Sequence, residues 1–246
     1  MSPPETAPAG AILLDIEGTT TPVALVTEVL FPYVRRHLRS HLEVRSGVPE
    51  YQSIFMGLRA EHASAVRAGE SVPRWADDPP SARHEAIAAY VEWLMDRDRK
   101  STALKELQGR IWEDGYRRGE LVGEVFPDVR PALQHWHEQR MAVGIFSSGS
   151  ILAQQLLFRY SSAGDLTGLL QWYFDTRVGS KIDPESYRRI AASTNIPARA
   201  FLFLSDTVKE LEAACAAGMQ VRLVVRPGNA PVAVSHDYET IHSLEV

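Results

Sequence analysis

The sequence predicts an α/β protein with a Rossmann-like, mostly parallel sheet that is interrupted, just after its first strand, by an inserted helical domain. Short, continuous apolar runs predict buried parallel strands, and helical patterns separate these runs along the chain. The runs are Ala11–Leu14, Met141–Phe146, Ala200–Ser205 and Val221–Val225. Between residues 20 and 122, by contrast, the pattern is helical and shows no strand.

The predicted helices of the sheet domain begin or end at recognisable residues. Pro131 and Pro184 each suit a first helical turn, and a third helix spans Ile151 to Tyr160. A fourth runs from about Thr207 to Ala217, and Gly218 closes it in the position that favours a left-handed backbone. The single cysteine, Cys215, is expected on the buried face of this last helix.

The insertion carries at least three amphipathic helices. Residues 81–99 repeat apolar side chains at helical spacing, and Ser81 is the predicted N-cap. Residues 101–119 follow the same pattern, and the proline-rich segment 72–80 between them is a predicted loop. We therefore assign residues 1–20 and 123–246 to the α/β core and residues 21–122 to a helical cap domain.

Composition excludes several classes of protein. The formal net charge is -5 and the pI about 5.9, without the basic stripe that a nucleic-acid surface needs. A lone cysteine fits a reducing, cytoplasmic setting, and no apolar run approaches the roughly 18 residues of a membrane span. Residues 1–10 are expected to be a tail, because they lack the basic and apolar regions of a signal peptide.

Polar side chains follow the apolar runs at the edge where parallel sheets bind ligands. They are Asp15 with Glu17, Ser147 with Ser148, and Ser205 with Asp206, while Lys181 lies in a connecting loop. A carboxylate such as Asp15 can attack phosphorus if a cation shields it from the phosphate, and Mg²⁺ suits this role with Asp15 and Asp206 as natural ligands. The sequence therefore predicts a Mg²⁺-dependent phosphatase with a small phosphorylated substrate.

The remaining polar residues have roles in such a reaction. Glu17 can protonate the leaving oxygen and later activate water. Ser147 and Ser148 can donate to phosphoryl oxygens from the start of a helix, or serve only as N-caps, and Lys181 can neutralise transition-state charge. Glu210, one turn after Asp206, can hold a metal-bound water or simply favour the helix dipole, and Thr19 can orient Asp15.

The motifs also resemble a known family. The segments 15–19, Ser147, 181–187 and 205–210 are similar to the four motifs of haloacid-dehalogenase-type phosphatases. Further segments resemble the enolase-phosphatases of methionine salvage: 15–20, 30–34, 98–112, 147–150 and 225–229. In many superfamily members the acid two residues after the nucleophile is Asp. Here it is Glu17, which is usual in the enolase-phosphatases.

The resemblance implies a haloacid-dehalogenase-like core with a helical cap and one Mg²⁺ held by Asp15, Glu17 and Asp206. It implies catalysis by Asp15 and Glu17 and substrate binding by Ser147, Ser148 and Lys181. The implied reaction is the enolisation of 2,3-diketo-5-methylthiopentyl-1-phosphate, followed by dephosphorylation through an aspartyl-phosphate to the acireductone 1,2-dihydroxy-3-keto-5-methylthiopentene. We expect a cytoplasmic monomer with neither nucleic-acid nor membrane partners.

Alternatives remain at this stage. One is a phosphatase of the same superfamily that acts on another small phosphate ester without enolisation, with a phosphomutase as a variant. Another is a non-catalytic binding module, which the intact motifs disfavour. The base of the enolisation is not assigned: a carboxylate or lysine can serve, with Glu17 first to test and Glu28, Tyr33 and Lys100 next.

Overall fold

The computed structural model describes residues 10–99, 101–231 and 236–245 of the 246-residue chain. Contacts divide the chain into two compact units, which we call unit 1 (residues 1–27 and 122–246) and unit 2 (residues 28–121). The assignment from sequence began the insertion at residue 21. Residues up to 27 stay with unit 1 in the structure, where Thr21 bridges to Glu17 and accepts a hydrogen bond from the amide of Gly18.

Unit 1 contains a parallel sheet, with six strands in the described part of the chain. The strands are β1 (Ala11–Leu14), β2 (Ala142–Phe146), β3 (Trp172–Phe174), β4 (Phe201–Ser205), β5 (Gln220–Val224) and β6 (Thr240–Ile241). Their order is β3-β2-β1-β4-β5-β6, so β1 lies between β2 and β4, with Ala11 opposite both Ala142 and Phe201. The predicted α/β class with a parallel sheet is confirmed.

The four predicted strands agree with the structure within one residue at each end. β3 and β6 were not predicted. β3 has three residues, all aromatic, and β6 has two, so both are shorter than the runs of four to six residues by which the other strands were recognised.

Four helices accompany the sheet: α5 (Val129–Glu138), α6 (Ile151–Arg159), α7 (Pro184–Thr194) and α8 (Val208–Ala216). Side chains of α7 and α8 pack with one face of β1 and β4 in a buried cluster that includes Leu13, Tyr187, Phe203 and Leu211. α5 contacts β2, and α6 contacts β3. Gly218 follows α8 with a φ of 91°, the left-handed conformation expected after a helix end.

The expectation for Cys215 was wrong, because its side chain is exposed. On α8 the buried positions are Val208, Leu211, Ala213 and Ala214. Cys215 lies four residues after Leu211 and therefore on the same helical face, but it stands in the last turn of α8, where that face is no longer covered.

Unit 2 is helical: α1 (Phe31–Arg45), α2 (Gln52–Arg67), α3 (Pro80–Asp96) and α4 (Thr102–Arg117) follow a π-helical turn at Leu25–Leu30. Ser101 caps α4 by accepting a hydrogen bond from the amide of Leu104. The predicted cap of α3 was wrong: Pro80 occupies the first turn, so Ser81 lies inside the helix and Pro79 holds the N-cap position. Across the described residues, no helix combines the length and apolar character that a bilayer crossing demands.

Candidate active site

Three neighbouring strands end in polar residues at one edge of the sheet. β1 ends before Asp15, β2 before Ser147, and β4 ends at Ser205, which Asp206 follows. Because these strands are parallel and adjacent in the order β2-β1-β4, their carboxyl ends lie side by side. Asp15 is 5% exposed, so its carboxylate lies in a largely desolvated position.

The loop after β1 is wound tightly on itself. The carbonyl of Ile16 accepts hydrogen bonds from the amides of Thr19, Thr20 and Thr21, at 2.9–3.1 Å. Gly18 has a φ of 72°, a conformation that favours glycine. The hydroxyl of Thr20 donates to the carbonyls of Asp15 and Ile16, both at 3.3 Å. Thr20 therefore makes the contact with Asp15 that was expected of Thr19.

Lys181 is the closest cationic partner described for Asp15. Its ammonium group donates to Asp15 Oδ1 at 2.5 Å and pairs with Glu210 Oε2 at 2.7 Å. Burial alone lowers the pKa of Lys181, but the charges of Asp15 and Glu210 outweigh it and raise that pKa above its ordinary value. The side chain is therefore a permanent positive charge between two carboxylates.

The loop that carries Lys181 is itself well fixed. The hydroxyl of Tyr187, buried between Phe146 and Phe203, donates to the main-chain carbonyl of Lys181 at 2.7 Å. Asp183 caps α7 by accepting from the amide of Glu185, with Pro184 in the first turn as the sequence predicted. Tyr187 reads as a core residue in sequence, and only its hydroxyl contact reveals a role at the site.

Asp206 and Glu210 are carboxyl groups that resist ionisation. Burial raises the pKa of Asp206 to about 6, and the nearby charge of Asp15 adds to the shift. Burial likewise raises the pKa of Glu210 to about 7, again with a contribution from Asp15, while Lys181 opposes it. Glu210 also accepts a hydrogen bond from Ser205 Oγ at 3.0 Å. Asp15 thus has two acidic neighbours and one basic one.

The residues directly after β2 form a turn that precedes the N-terminus of α6. Ser147 Oγ accepts from the amide of Gly149 at 3.1 Å, and Ser150 caps α6 by accepting from Ala153. The buried amide of Gln154 donates to the carbonyls of Gly149 and Phe174, both at 2.8 Å, and so ties this turn to β3. The N-cap alternative for Ser147 and Ser148 was therefore wrong, and both belong to the strand–helix turn.

The donor set fits a hard divalent cation. Asp15, Asp206 and Glu210, when ionised, exceed the single charge of Lys181 by two negative charges. A Cβ built on Gly18 would overlap Asp206 Oδ2 and lie 3.0 Å from Asn229 Oδ1, so oxygen atoms crowd this point. No group of three or more His, Cys, Asp or Glu side chains in the described ranges forms a metal site. Asp15 and Asp206, the ligands predicted from the sequence, would therefore need oxygens from outside such a cluster to complete a metal site.

The structure thus brings Asp15, Lys181 and Glu210 into direct contact and sets Asp206 against Gly18 of the same loop. Glu17 lies within that loop, and its assigned role stays a prediction. Glu28 and Tyr33, two of the other candidates for the base, both lie in unit 2, and Glu28 is its first residue. The hydroxyl of Tyr33 donates to Glu120 at 2.5 Å. Lys100 lies outside the described residues.

Two residues near the loop were missed by sequence reasoning. Arg226 Nε donates to the carbonyl of Thr19 at 3.0 Å, and Asn229 Nδ2 donates to the carbonyl of Gly18 at 2.9 Å. Their segment, 225–229, had been noted only as part of a resemblance. The burial of Arg226 just after β5 marks this segment in the structure, but that burial leaves no signal in the sequence.

Comparisons with known proteins agree with this geometry. Residues 9–218 match a family model described as haloacid dehalogenase-like hydrolase. The chain is 51% identical over 236 residues to enolase-phosphatase E1 of Synechococcus elongatus, with 95% of each chain covered. It is 45% identical over 226 residues to the protein of the same name from Xenopus tropicalis, with 91% of this chain and 87% of that protein covered.

Among solved structures, the UTR4 protein of Saccharomyces cerevisiae matches with a TM-score of 0.77 and 30% identity, covering 96% of this chain and 99% of that one. The match extends over both units, and the curated relatives align over nearly their whole length. This chain belongs to the enolase-phosphatase E1 family of the haloacid dehalogenase-like hydrolases.

Proposed function

We propose that the chain is a bifunctional enolase-phosphatase of methionine salvage. It enolises 2,3-diketo-5-methylthiopentyl-1-phosphate and then removes the phosphate to give the acireductone 1,2-dihydroxy-3-keto-5-methylthiopentene. The observation that carries the proposal is the buried carboxylate of Asp15 at the end of β1, paired at 2.5 Å with Lys181. Membership of the enolase-phosphatase E1 family supports the choice of substrate.

Asp15 is the proposed nucleophile. Its carboxylate attacks the phosphorus of the substrate, and the alcohol oxygen leaves, which gives an aspartyl-phosphate that water then hydrolyses. Lys181 stays protonated because Asp15 and Glu210 raise its pKa, so it neutralises phosphoryl oxygens as charge accumulates. Ser147 and Ser148, in the turn after β2, are the proposed hydroxyl and amide donors to the same phosphate.

Mg²⁺ is the proposed metal, one per subunit, with Asp15 and Asp206 as carboxylate ligands. Glu17 is the third proposed ligand, although the described side chains do not group three carboxylates at this point. When bound, the ion supplies the positive charge that lets an anionic nucleophile approach an anionic ester. The surplus of negative charge around Asp15 supports a divalent ion over a monovalent one. Glu210 and Thr19 are proposed to support this site without contacting the substrate: Glu210 holds Lys181 at 2.7 Å.

Glu17 is the proposed acid and base for the leaving alcohol and the hydrolytic water. The raised pKa of Lys181 disfavours it as the base of the enolisation, since an ammonium group has no free electron pair. This favours a carboxylate for that proton transfer, and Glu17 is the first to test. Unit 2 is proposed as the cap domain that selects the tail of the substrate, in a cytoplasmic monomer.

One anaerobic assay tests both steps. The diketo phosphate is supplied with Mg²⁺, and the absorbance of the enediol and the release of phosphate are followed together. We expect both signals from the native chain, and no phosphate from Asp15→Asn, because the amide is a far weaker nucleophile. Phosphate release without an enediol would instead favour the simpler phosphatase, and absence of both signals would contradict the proposed function.

Glu17→Gln separates the two proton transfers. If this variant enolises at the native rate but releases no phosphate, Glu17 serves only the phosphoryl step. If it loses both, Glu17 also serves the enolisation. In the first case, Glu28→Gln, Tyr33→Phe and Lys100→Gln are the next variants to test for loss of enolisation.

A further inference from the structure

Most main-chain carbonyl groups of the loop after β1 accept a hydrogen bond. Ile16 and Thr21 accept from amides within the loop, and Thr20 accepts from the amide of Phe126 at 3.0 Å. The carbonyls of Gly18 and Thr19 instead accept from side chains of the distant segment 226–229. Since a buried main-chain carbonyl needs a partner, these two contacts complete the loop that carries Asp15 and Glu17.

Arg226 is held on several sides at once. Its Nε donates to Thr19 and its Nη1 to the carbonyl of His242, each at 3.0 Å, and its Nη2 pairs with Asp128 Oδ2 at 2.8 Å. The guanidinium group also lies 4.6 Å from the ring centre of Phe126. The residue is only 6% exposed. A lysine has a single point of charge and could not reach these acceptors together, so the planar fork of arginine is required.

Asn229 contacts the loop one residue earlier. Its side-chain Nδ2 donates to the carbonyl of Gly18 at 2.9 Å. Its main-chain amide donates to the carbonyl of Arg226 at 3.2 Å and so closes the turn between the two residues. Its Oδ1 is buried without a hydrogen-bond partner among the described residues. That oxygen lies 3.0 Å from the point where a Cβ on Gly18 would stand, a point that Asp206 Oδ2 also crowds. Asn229 and Asp206 thus both approach the Asp15 loop at Gly18.

We propose that Arg226 and Asn229 are positioning residues of the active site: by holding the carbonyls of Thr19 and Gly18, they fix the main chain that orients Asp15 and Glu17. Neither residue touches the reacting atoms. The inference rests on the proposed function for its catalytic readout only. Because Asp206 Oδ2 also approaches the loop at Gly18, loosening these contacts should weaken metal binding by Asp15 and Asp206 as well.

The test uses Arg226→Gln and Asn229→Ala in the full chain, with Arg222→Gln as the matched control. Arg222 lies on β5, four residues before Arg226, and pairs with Glu239 at 2.8 Å, away from the loop. We expect kcat with the diketo phosphate to fall by about 10- to 100-fold in the two variants. KM should change little, because the phosphate contacts assigned to Ser147, Ser148 and Lys181 are untouched. The control should retain native kcat.

A second measurement needs no turnover. Mn²⁺ affinity of the protein without substrate is titrated by electron paramagnetic resonance, and we expect about 10-fold weaker binding in Arg226→Gln and Asn229→Ala than in Arg222→Gln. If the native chain binds Mn²⁺ but shows no phosphatase activity, the proposed function fails while this comparison still tests the positioning role.

The stability of each variant is checked by its circular-dichroism melting curve. If Arg226→Gln does not fold, Asn229→Ala decides alone, since it removes one hydrogen bond and no buried charge. The proposal is overturned if the folded variants keep native kcat and Mn²⁺ affinity. It is equally overturned if Arg222→Gln loses as much as they do, because the effect would then belong to the strand and not to the loop contacts.

Discussion

At the scale of single residues, the site concentrates negative charge that the fold alone does not need. Asp206 has a pKa raised to about 6, because it is buried and faces the charge of Asp15. Its ordinary pKa is 3.8, so the unfolded chain loses this proton at lower pH than the folded one. As the pH rises from about 4 through about 6, the ionised carboxylate therefore becomes a growing cost to the metal-free folded state.

Asp206→Asn should relieve that cost. We expect the metal-free variant to be more stable than the native chain at pH 7.5, on the order of 1 kcal/mol after allowance for solvent screening, or about 3 °C in melting temperature. The difference should shrink as the pH falls and vanish below about pH 3, where both the folded and the unfolded state of the native chain hold the proton. Asparagine keeps an acceptor for Thr207 Oγ1, which donates to Asp206 Oδ1 at 3.0 Å.

The measurement is calorimetric melting in chelator and then in Mg²⁺. The native chain should gain stability with Mg²⁺, whereas Asp206→Asn should not, since a ligand stabilises only the state that binds it. Lower stability of the metal-free variant at pH 7.5 would mean that Asp206 supports the fold and contradict the charge argument.

The pKa of Asp128 is shifted in the opposite direction from that of Asp206. Burial raises its pKa, but the ion pair with Arg226 at 2.8 Å and the amide of Leu244 at 2.6 Å outweigh burial and hold it below the ordinary 3.8. A depressed pKa contributes stability above the unfolded value, and this contribution is lost as the pH falls through the folded one. Asp128→Asn should therefore cost about 2–3 kcal/mol at pH 7 and progressively less below about pH 4.

Denaturant unfolding at pH 7 and at pH 3 measures this difference for Asp128. Arg222→Gln, which breaks a partly exposed pair with Glu239, is the control and should cost well under 1 kcal/mol at pH 7. An equal cost for Asp128→Asn at both pH values would assign its effect to packing and hydrogen bonding instead of charge.

At the scale of elements, unit 2 depends on a glycine inside a helix. A Cβ at Gly115 in α4 would lie 2.7 Å from the ring of Tyr33 in α1. That ring cannot easily move, because it stacks on His37 with centroids 4.2 Å apart and its hydroxyl contacts Glu120 and Arg118. The close approach of the two helices therefore requires glycine.

The substitution Gly115→Ala has two opposing effects on the stability of unit 2. Alanine favours the helix by about 1 kcal/mol, whereas forcing a methyl group into a packed contact costs about 1–3 kcal/mol. We expect a net destabilisation of unit 2, measured by hydrogen exchange of the α1 and α4 amides. Tyr33→Leu should remove the penalty, so the double variant should be more stable than the two single effects predict. A stabilised Gly115→Ala would show that α1 yields instead.

The elements also show what sequence can predict. β1, β2 and β4 are continuous apolar runs in the middle of the sheet, and β5 is an apolar run interrupted by Arg222, so pattern alone finds them. β3 and β6 owe their pairing to neighbouring strands, and no local pattern records that. The positions of Asp15 and Asp206 were predictable because each follows a strand end, and that of Lys181 because it lies just before the helix start at Asp183 and Pro184. Arg226 and Asn229 were not, because their partners are main-chain carbonyls more than two hundred positions away in the chain.

At the scale of the whole molecule, the two units differ in how far apart in the sequence their contacting residues lie. β1 pairs with β2 and β4, so Ala11 must meet Ala142 and Phe201 before the centre of the sheet exists. Unit 2 is a continuous segment, residues 28–121, and its helix contacts, such as α1 with α4 and α2 with α4, all close within that segment, whereas β1 pairs with strands that lie beyond it. Closing a long loop costs more entropy than closing a short one, and non-local pairing slows folding.

We therefore predict that unit 2 gains structure before unit 1 during refolding. In pulse-labelled hydrogen exchange, amides of α1 to α4 should become protected in an earlier phase than those of β1 and β4. Phosphatase activity should return only with the later phase, because Asp15 follows β1 and Asp206 follows β4. Arg226→Gln should lengthen that later phase and leave the earlier one unchanged, since Arg226 joins the Asp15 loop to the segments after β5 and β6. Protection of β1 and β4 before the helices of unit 2 would contradict this order, and would indicate that the sheet centre forms the folding nucleus in spite of the length of chain between its strands.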